Sequence, residues 1–461
     1  MFQPEYDLIQ MASALLSLLE GPSHNSISKP SLVNSTTLRS LNDFPDEILL
    51  KILSYFGPED LCLTISKVCE RWYALARDVT LWKTLCYKCD NSSRFSTIVQ
   101  VLLEAPVLQS ITIFNRTDAA QLLELLFDNC EGLKKLILRF CSLSEDSTGL
   151  LANIVAFYPD LEVLALEGCH PLTYAGYALI PRLEKLSALN LSHCKGLSGN
   201  AVRGIVESCQ HLKKLSLDDV TQIFDDDIMH VIKKLGGQLT TLILDGEDLT
   251  DVAFCYLHNC TRLQELEVSF CDQMTDKGLL EGIGSLQELN SLRLKRGHNL
   301  SASALSKFLS RPAMTCIVFL NLSECSSLDD HGLEGIANRC RNLQTLHLCW
   351  CWEVTDAGIR MIICHCNQLR ILDLLGVVRI TGVGYFALVP SHLPHLKRLN
   401  LEQCNNVCDD SLAELVAAVP ELEVFNYYGD RVVATDEELE VYNAEGEDDD
   451  DEWLSVNEDD P

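Results

Sequence analysis

Positive charge is scarce in this chain. Against 66 aspartates and glutamates stand only 36 lysines and arginines, giving a formal net charge of -30 and a pI near 4.7. Nucleic acid is thereby disfavoured as a partner, because displacing counterions from phosphates takes lysine and arginine. Anionic membrane surfaces are disfavoured for the same reason. No run of eighteen apolar residues occurs, so no transmembrane helix is expected. The first residues, MFQPEYDLIQMASALLSLLEG, carry Glu5 and Asp7 where a secretory leader has cations, and read as a short amphipathic helix. The last residues, Asn457 to Pro461, show no prenylation cysteine or retention signal, and cytoplasm and/or nucleus is the expected location. Gly-rich phosphate loops, H-E-x-x-H and G-x-S-x-G are also missing. The expectation is a protein without catalytic residues, cofactor or metal, and so not an enzyme.

What the chain does have is apolar content, 47% of 461 residues, which rules out wholesale disorder. Residues 436 to 461 hold fourteen Asp and Glu and no Lys or Arg, a composition that stays solvated. The 21 cysteines do not argue for a secreted disulfide scaffold, since that rule belongs to short chains, and they are expected as free thiols.

Apolar surface is most concentrated between Leu41 and Leu85. Ile48, Leu49, Ile52, Leu53 and Phe56 recur at helical spacing, and Gly57-Pro58 breaks the helix. Leu61, Ile65, Val68, Trp72 and Leu75 form a second stripe, and Leu81, Trp82 and Leu85 a third piece. So short a unit cannot build a self-sufficient core, and the surplus predicts a partner. Leu41, Pro45, Glu47, Ile48, Ile52, Leu53, Val68, Cys69, Trp72, Leu81 and Trp82 also carry a resemblance, to the F-box. Phe44 departs from it, standing where a leucine is more usual. The resemblance implies docking on the S-phase-kinase-associated adaptor of a cullin-RING ubiquitin ligase. Leu41, Pro45, Ile48, Leu49, Ile52, Leu53, Val68, Trp72, Leu81 and Trp82 are the implied adaptor-binding residues. An ordinary helical hairpin packed on its own chain is the competing reading.

From Leu108 onward a phrase recurs, L-x-x-L-x-L-x-x-C, followed by a polar turn and a helix. Its first residue falls at Leu108, Leu133, Leu161, Leu186, Leu212, Leu239, Leu263, Leu289, Ile317, Leu343, Leu369, Leu396 and Leu422. Spacings of 24 to 28 residues are those of leucine-rich repeats. One strand and helix cannot bury an apolar face alone, whereas stacked copies share a core, so a solenoid with strands inside and helices outside is expected. Cys141, Cys169, Cys194, Cys271, Cys325, Cys351 and Cys404 share the ninth position of the phrase, while Cys130, Cys209, Cys260, Cys340 and Cys366 end the helices. These twelve read as small buried hydrophobes. Thr275-Asp276 and Thr355-Asp356 read as helix caps. The pattern is similar to the cysteine-containing repeats found behind F-boxes. Together the two resemblances imply a substrate receptor, with a separate RING subunit supplying ubiquitin. A non-ligase scaffold or inhibitor is the alternative.

Three cysteine pairs remain to be placed. Cys86-Tyr-Lys-Cys89, with Cys62 and Cys69 as completions, has the spacing of half a zinc site, but helical packing is the preferred reading. In Cys349-Trp-Cys351 and Cys364-His-Cys366, Cys351 and Cys366 are framework positions, which leaves no redox pair.

Strand alternation turns positions 3 and 5 of the phrase, flanked by 7 and 8, to the concave face, where a partner is expected to bind. That face is small or acidic at Ser216, Asp218, Asp219, Asp245, Glu265 and Glu267, then gains Arg293, Lys295 and Arg296, edged by Phe270, Phe319, His347 and Trp350. These seven form a candidate substrate-binding spot for an acidic or phosphorylated segment. The competing reading pairs Arg293 with Glu267 of the neighbouring repeat. Trp453-Leu454, inside the acidic run, is either a lid on that spot or part of a solubilising tail.

The expected architecture is α/β: a flexible region over 1–38, an all-helical F-box over 39–86, a helical connector over 87–107, a curved thirteen-strand solenoid over 108–428 and a disordered acidic tail over 429–461. Adaptor, cullin and RING subunit, and a protein substrate are the expected partners.

Overall fold

The computed structural model describes residues 41–433, apart from Thr84, Pro106 and Ser144. The expectations for residues 1–38, for the acidic run beyond 433 and for Trp453-Leu454 therefore lie outside the described residues. The chain divides into two compact units, one ending at Leu212 and the other beginning at Lys213. No described helix is long and apolar enough to cross a membrane.

The first unit begins with short helices whose ends are set by local chemistry. Helix Asp46–Leu53 follows Pro45 and stops before Gly57, and Pro58 opens helix Pro58–Leu63 at the position where a missing N–H costs nothing. Helix Glu70–Ala76 follows, then helix Val79–Trp82, whose cap Asp78 accepts from the Thr80 amide. Their shared core consists of Leu49, Ile52, Leu53, Leu61, Ile65, Trp72, Leu75, Leu81 and Trp82. Trp82 is fully buried and its Nε1 donates to the Ala76 carbonyl at 2.8 Å.

The same unit continues into parallel strands β1 (Cys86–Cys89), β2 (Ser110–Phe114), β3 (Lys135–Arg139), β4 (Val163–Glu167) and β5 (Ala188–Asn190). β1 corrects the expectation of helical packing for Cys86–Cys89, while the helix expected in the connector is present at Phe95–Glu104. Cys86 pairs in register with Ser110 and Cys89 with Ile113, so this stretch adds one more strand ahead of the thirteen repeats. Period-3.6 and period-2 patterns cannot be told apart over four residues. On a strand, residues three apart face opposite sides. Cys89 is buried and Cys86 half-exposed, so the Cys-x-x-Cys does not converge on a metal.

Tyr87 ties the short helices to this sheet, and Arg77 ties them to helix Phe95–Glu104. The Tyr87 hydroxyl donates to Glu59 at 3.0 Å, and Arg77 donates to the Glu104 carbonyl at 2.9 Å. Arg116, itself buried, makes a bidentate pair with Asp118 and also donates to the Ser93 carbonyl at 2.7 Å. The helical segment thus completes its core partly against its own chain.

The second unit holds β6 (Lys214–Leu217), β7 (Thr241–Asp245), β8 (Glu265–Ser269), β9 (Ser291–Leu294), β10 (Phe319–Asn321), β11 (Thr345–His347), β12 (Ile371–Asp373), β13 (Arg398–Asn400) and β14 (Glu423–Phe425). Sequential neighbours pair in parallel, which stacks Leu266, Leu292, Leu320, Leu346, Leu372, Leu399 and Val424 in one buried row. From Leu266 to Leu399 that row is position 4 of the phrase, and Val424 joins it from position 3 of the copy counted from Leu422, one residue out of the expected register. Helices return on the other side of the strands, giving the α/β repeat that the spacing predicts.

The caps do more than end helices. Asp251 accepts from the Thr275 amide at 2.9 Å and from its hydroxyl at 2.5 Å, and also from the Gly278 amide at 3.0 Å. Asp225 with Thr250, Asp276 with Ser301, Asp330 with Thr355 and Asp356 with Thr381 repeat the link. A Thr-Asp step therefore caps its own helix and braces the next repeat. Gly429 to Val433, expected as the start of a disordered tail, turn back instead, with Arg431 bridging antiparallel to Phe425.

All 21 cysteines are free thiols, and the twelve framework positions are buried. Burial pushes the Cys325, Cys340, Cys366 and Cys404 thiols up to about 12. Cys316 and Cys408 are exposed, and Cys69, at the start of helix Glu70–Ala76, is lowered chiefly by a hydrogen bond from the Trp72 amide. Under native conditions a thiol reagent should therefore consume Cys316, Cys408 and Cys69 first. Mass mapping of modified peptides checks this, and the framework cysteines should react only on unfolding.

Candidate functional site

Two surfaces carry the predicted site residues, one on each unit. On the first, the structure separates the ten implied adaptor residues into two groups. Leu49, Ile52, Leu53, Trp72, Leu81 and Trp82 are between 0% and 6% exposed and hold the helices together. Leu41 is half-buried, while Pro45, Ile48 and Val68 are exposed, Ile48 at 43% and Val68 at 39%. For the buried six the sequence reading is corrected to a scaffolding role, because an apolar stripe marks a face to be covered without saying what covers it.

A polar clamp fixes the exposed group. Arg71 donates to the Phe44 carbonyl at 2.7 Å and to Asp46 at 2.9 Å, and Trp72 Nε1 donates to Asn42 at 2.8 Å. Leu41, Pro45 and Ile48 flank those acceptors in sequence, and Val68 precedes Cys69, whose sulfur accepts from Asn42 at 3.8 Å. The clamp holds the start of helix Asp46–Leu53 against the start of helix Glu70–Ala76. Tyr55 and Tyr73 add exposed aromatic surface, at 54% and 46%, that the motif alone did not single out.

On the second unit, Arg293 lies between Glu265 and Glu267, at 3.3 and 3.2 Å, with its guanidinium carbon 4.1 Å from the Phe319 ring centroid. Phe319 in turn packs on His347 at 5.4 Å, and His347 Nδ1 meets Asp373 at 3.0 Å. Lys295 reaches Glu267 at 3.8 Å, and Arg296 pairs with Asp272 at 3.3 Å while stacking on Phe270 at 4.9 Å. The predicted basic spot is therefore neutralised by its own chain, and the pairing of Arg293 with Glu267 is what the structure contains. Burial pushes the Glu267 carboxyl up, opposed by Arg293 and Lys295.

Trp350 stands apart from that row. Its indole lies over Gly376, where an added Cβ would come within 2.4 Å of the ring. With Trp352, Glu324, Ser326 and His298 it lines a cleft of about 250 Å³. Trp352 is 49% exposed and was missed from sequence, although the run Cys349-Trp-Cys-Trp352 signalled it. Phe270, Arg296, Glu324 and Trp350, at position 8 of successive repeats, all adopt left-handed backbone, with φ from 55° to 61°. Bulky residues rarely take that conformation, and only the sharp exit from each strand imposes it.

Comparison with known proteins accords with this geometry. Residues 41–88 match the F-box-like family, and residues 259–281 and 339–362 match a leucine-rich-repeat family. Putative F-box/LRR-repeat protein 23 of Arabidopsis thaliana is 25% identical over 258 residues, 52% of this chain and 50% of that protein. This chain thus spans about half the length of that relative. F-box/LRR-repeat protein 12 of Homo sapiens is 26% identical over 291 residues, 60% of this chain and 78% of its own length. Among solved structures, one from the Rad7 and Elc1 complex in yeast superposes with a TM-score of 0.53 at 15% identity, over 92% of this chain and 98% of the other. That likeness is one of fold.

Proposed function

We propose that this chain, an F-box/leucine-rich-repeat protein, is the substrate-recognition subunit of an SCF-type ubiquitin ligase. The observation that carries the reading is the residual apolar surface of the helical segment. Its core is closed, yet Pro45, Ile48 and Val68 remain exposed around a rigid clamp, a patch that suits a protein partner. That partner is the S-phase-kinase-associated adaptor, which brings cullin and RING subunit. The strand face of the repeats holds the target, with the Trp350–Trp352 cleft as an aromatic anchor point. The chain catalyses nothing itself. It raises the local concentration of target lysines near the charged conjugating enzyme.

Ile48→Asp combined with Val68→Asp tests the reading by co-purification of adaptor and cullin from cells. Both side chains are exposed, so the fold is expected to survive, and adaptor recovery should fall at least about tenfold, the effect of losing roughly 1.4 kcal/mol. Undiminished adaptor and cullin with the double variant would overturn the assignment of this surface. Adaptor without cullin would favour the non-ligase scaffold.

A further inference from the structure

Cys349 is not explained by the repeat framework. It occupies position 7 of the phrase, two residues before the framework Cys351, and so faces the same side as His347 rather than the core. Register places His347 on β11 directly beside Asp373 on β12. The His347 nitrogen, the Cys349 sulfur and an Asp373 carboxylate oxygen all lie within 4.8 Å of one another. His347 Nδ1 and Asp373 Oδ2 are 3.0 Å apart, and Asp373 Oδ1 is held by the Leu375 amide at 3.2 Å. That second bond orients the carboxylate and leaves Oδ2 for the cluster. The Phe319 ring, 5.4 Å from the imidazole, limits its rotation. Among the described residues this is the one group of three or more His, Cys, Asp or Glu side chains brought close enough to hold an ion.

The donor set is one nitrogen, one sulfur and one carboxylate oxygen, which suits zinc rather than calcium or magnesium. A hydrogen-bonded His–Asp pair needs no thiol beside it. We propose that His347 Nδ1, Cys349 Sγ and Asp373 Oδ2 bind one zinc ion. Binding forms a zinc–thiolate bond, the Cys349 proton leaves to solvent, and no electron changes hands. Three protein ligands leave the fourth tetrahedral position to water. This is a departure from the sequence reading, which expected no metal, and it stands independently of the ligase assignment.

The test uses the full chain, reduced and stripped with chelator, carrying Cys316→Ser and Cys408→Ser to remove the exposed thiols. Cobalt(II) alone is titrated as the spectroscopic probe, then displaced with zinc. A thiolate-to-cobalt charge-transfer band saturating at one equivalent, and bleached by zinc, is expected. Cys349→Ser should abolish the band and weaken zinc binding at least about 100-fold, more than loss of an outer-shell partner does. His347→Gln should weaken binding in the same direction, and Cys364→Ser should leave it unchanged. Absence of the band in the unsubstituted cluster, or its persistence in the Cys349→Ser protein, would overturn the proposal. The first of these results does not depend on any variant at the cluster folding.

Discussion

Trp82→Ala is expected to destabilise the helical segment by about 3–5 kcal/mol, the range for emptying a fully buried aromatic site. The indole is 0% exposed, and its Nε1 satisfies the Ala76 carbonyl. Truncation removes the packing and leaves that acceptor without its donor, so the two losses act together. Amide hydrogen exchange over residues 41–89 reads the result directly, with protection falling by several orders of magnitude. Trp352→Ala supplies the control, since Trp352 is 49% exposed and its removal should cost within about 0.5 kcal/mol, as surface substitutions do. Adaptor capture should fall with Trp82→Ala as well, through lost structure rather than a lost contact. Equal effects of the two substitutions would contradict the burial on which the adaptor surface rests.

Arg293→Ala is expected to cost about 3 kcal/mol at neutral pH, near the low end for breaking a buried ion pair because Lys295 still reaches Glu267. Glu267 is 8% exposed, and without Arg293 its carboxylate stays buried beside Glu265. The pH dependence has a definite sign. Burial already raises the folded Glu267 carboxyl above its ordinary 4.5, with Arg293 opposing the rise. A raised carboxyl contributes its stability in full below the unfolded value and loses it as pH climbs through the folded value. Removing Arg293 raises the folded value further, so the penalty relative to the parent should be largest at neutral pH. It should shrink as pH falls from neutral through those raised folded values toward about 4.5, where the neutral acid needs no cation. Urea denaturation of both proteins across that interval measures the difference. The same argument makes charge reversal at Arg293 a folding lesion, whereas Arg296, at 37% side-chain exposure, is the better probe of target contact.

Much of the fold was legible because repetition is a one-dimensional signal. A period of 24 to 28 residues located each repeat, and position 4 of the phrase became the buried row from Leu266 to Leu399. Thr-Asp steps marked caps correctly, but not their second role, since the bond donated by the Thr275 hydroxyl to Asp251 joins residues that only stacking makes adjacent. The strand at Cys86–Cys89 was hidden because four residues carry too little periodicity to distinguish strand from helix. Its partner, β2, begins 24 residues away.

Site residues divided along the same line. Sequence alone determined that the first unit would carry an apolar helical segment, that parallel repeats would follow, and that acidic residues would crowd the strand face, because these depend on residue type and spacing. Only the tertiary structure decided which apolar residues were spent on the core and which stayed outside. Leu53 and Ile48 occupy one helix with similar side chains, yet they are 1% and 43% exposed. The pairing of Arg293 with Glu267 was one of two readings open from sequence, and the tertiary structure chose it, added Glu265, and set Cys349 beside His347 and Asp373. Burial and charge pairing are properties of neighbours in space, and a parallel solenoid draws those neighbours from residues about 26 positions apart, as Asp373 is from His347.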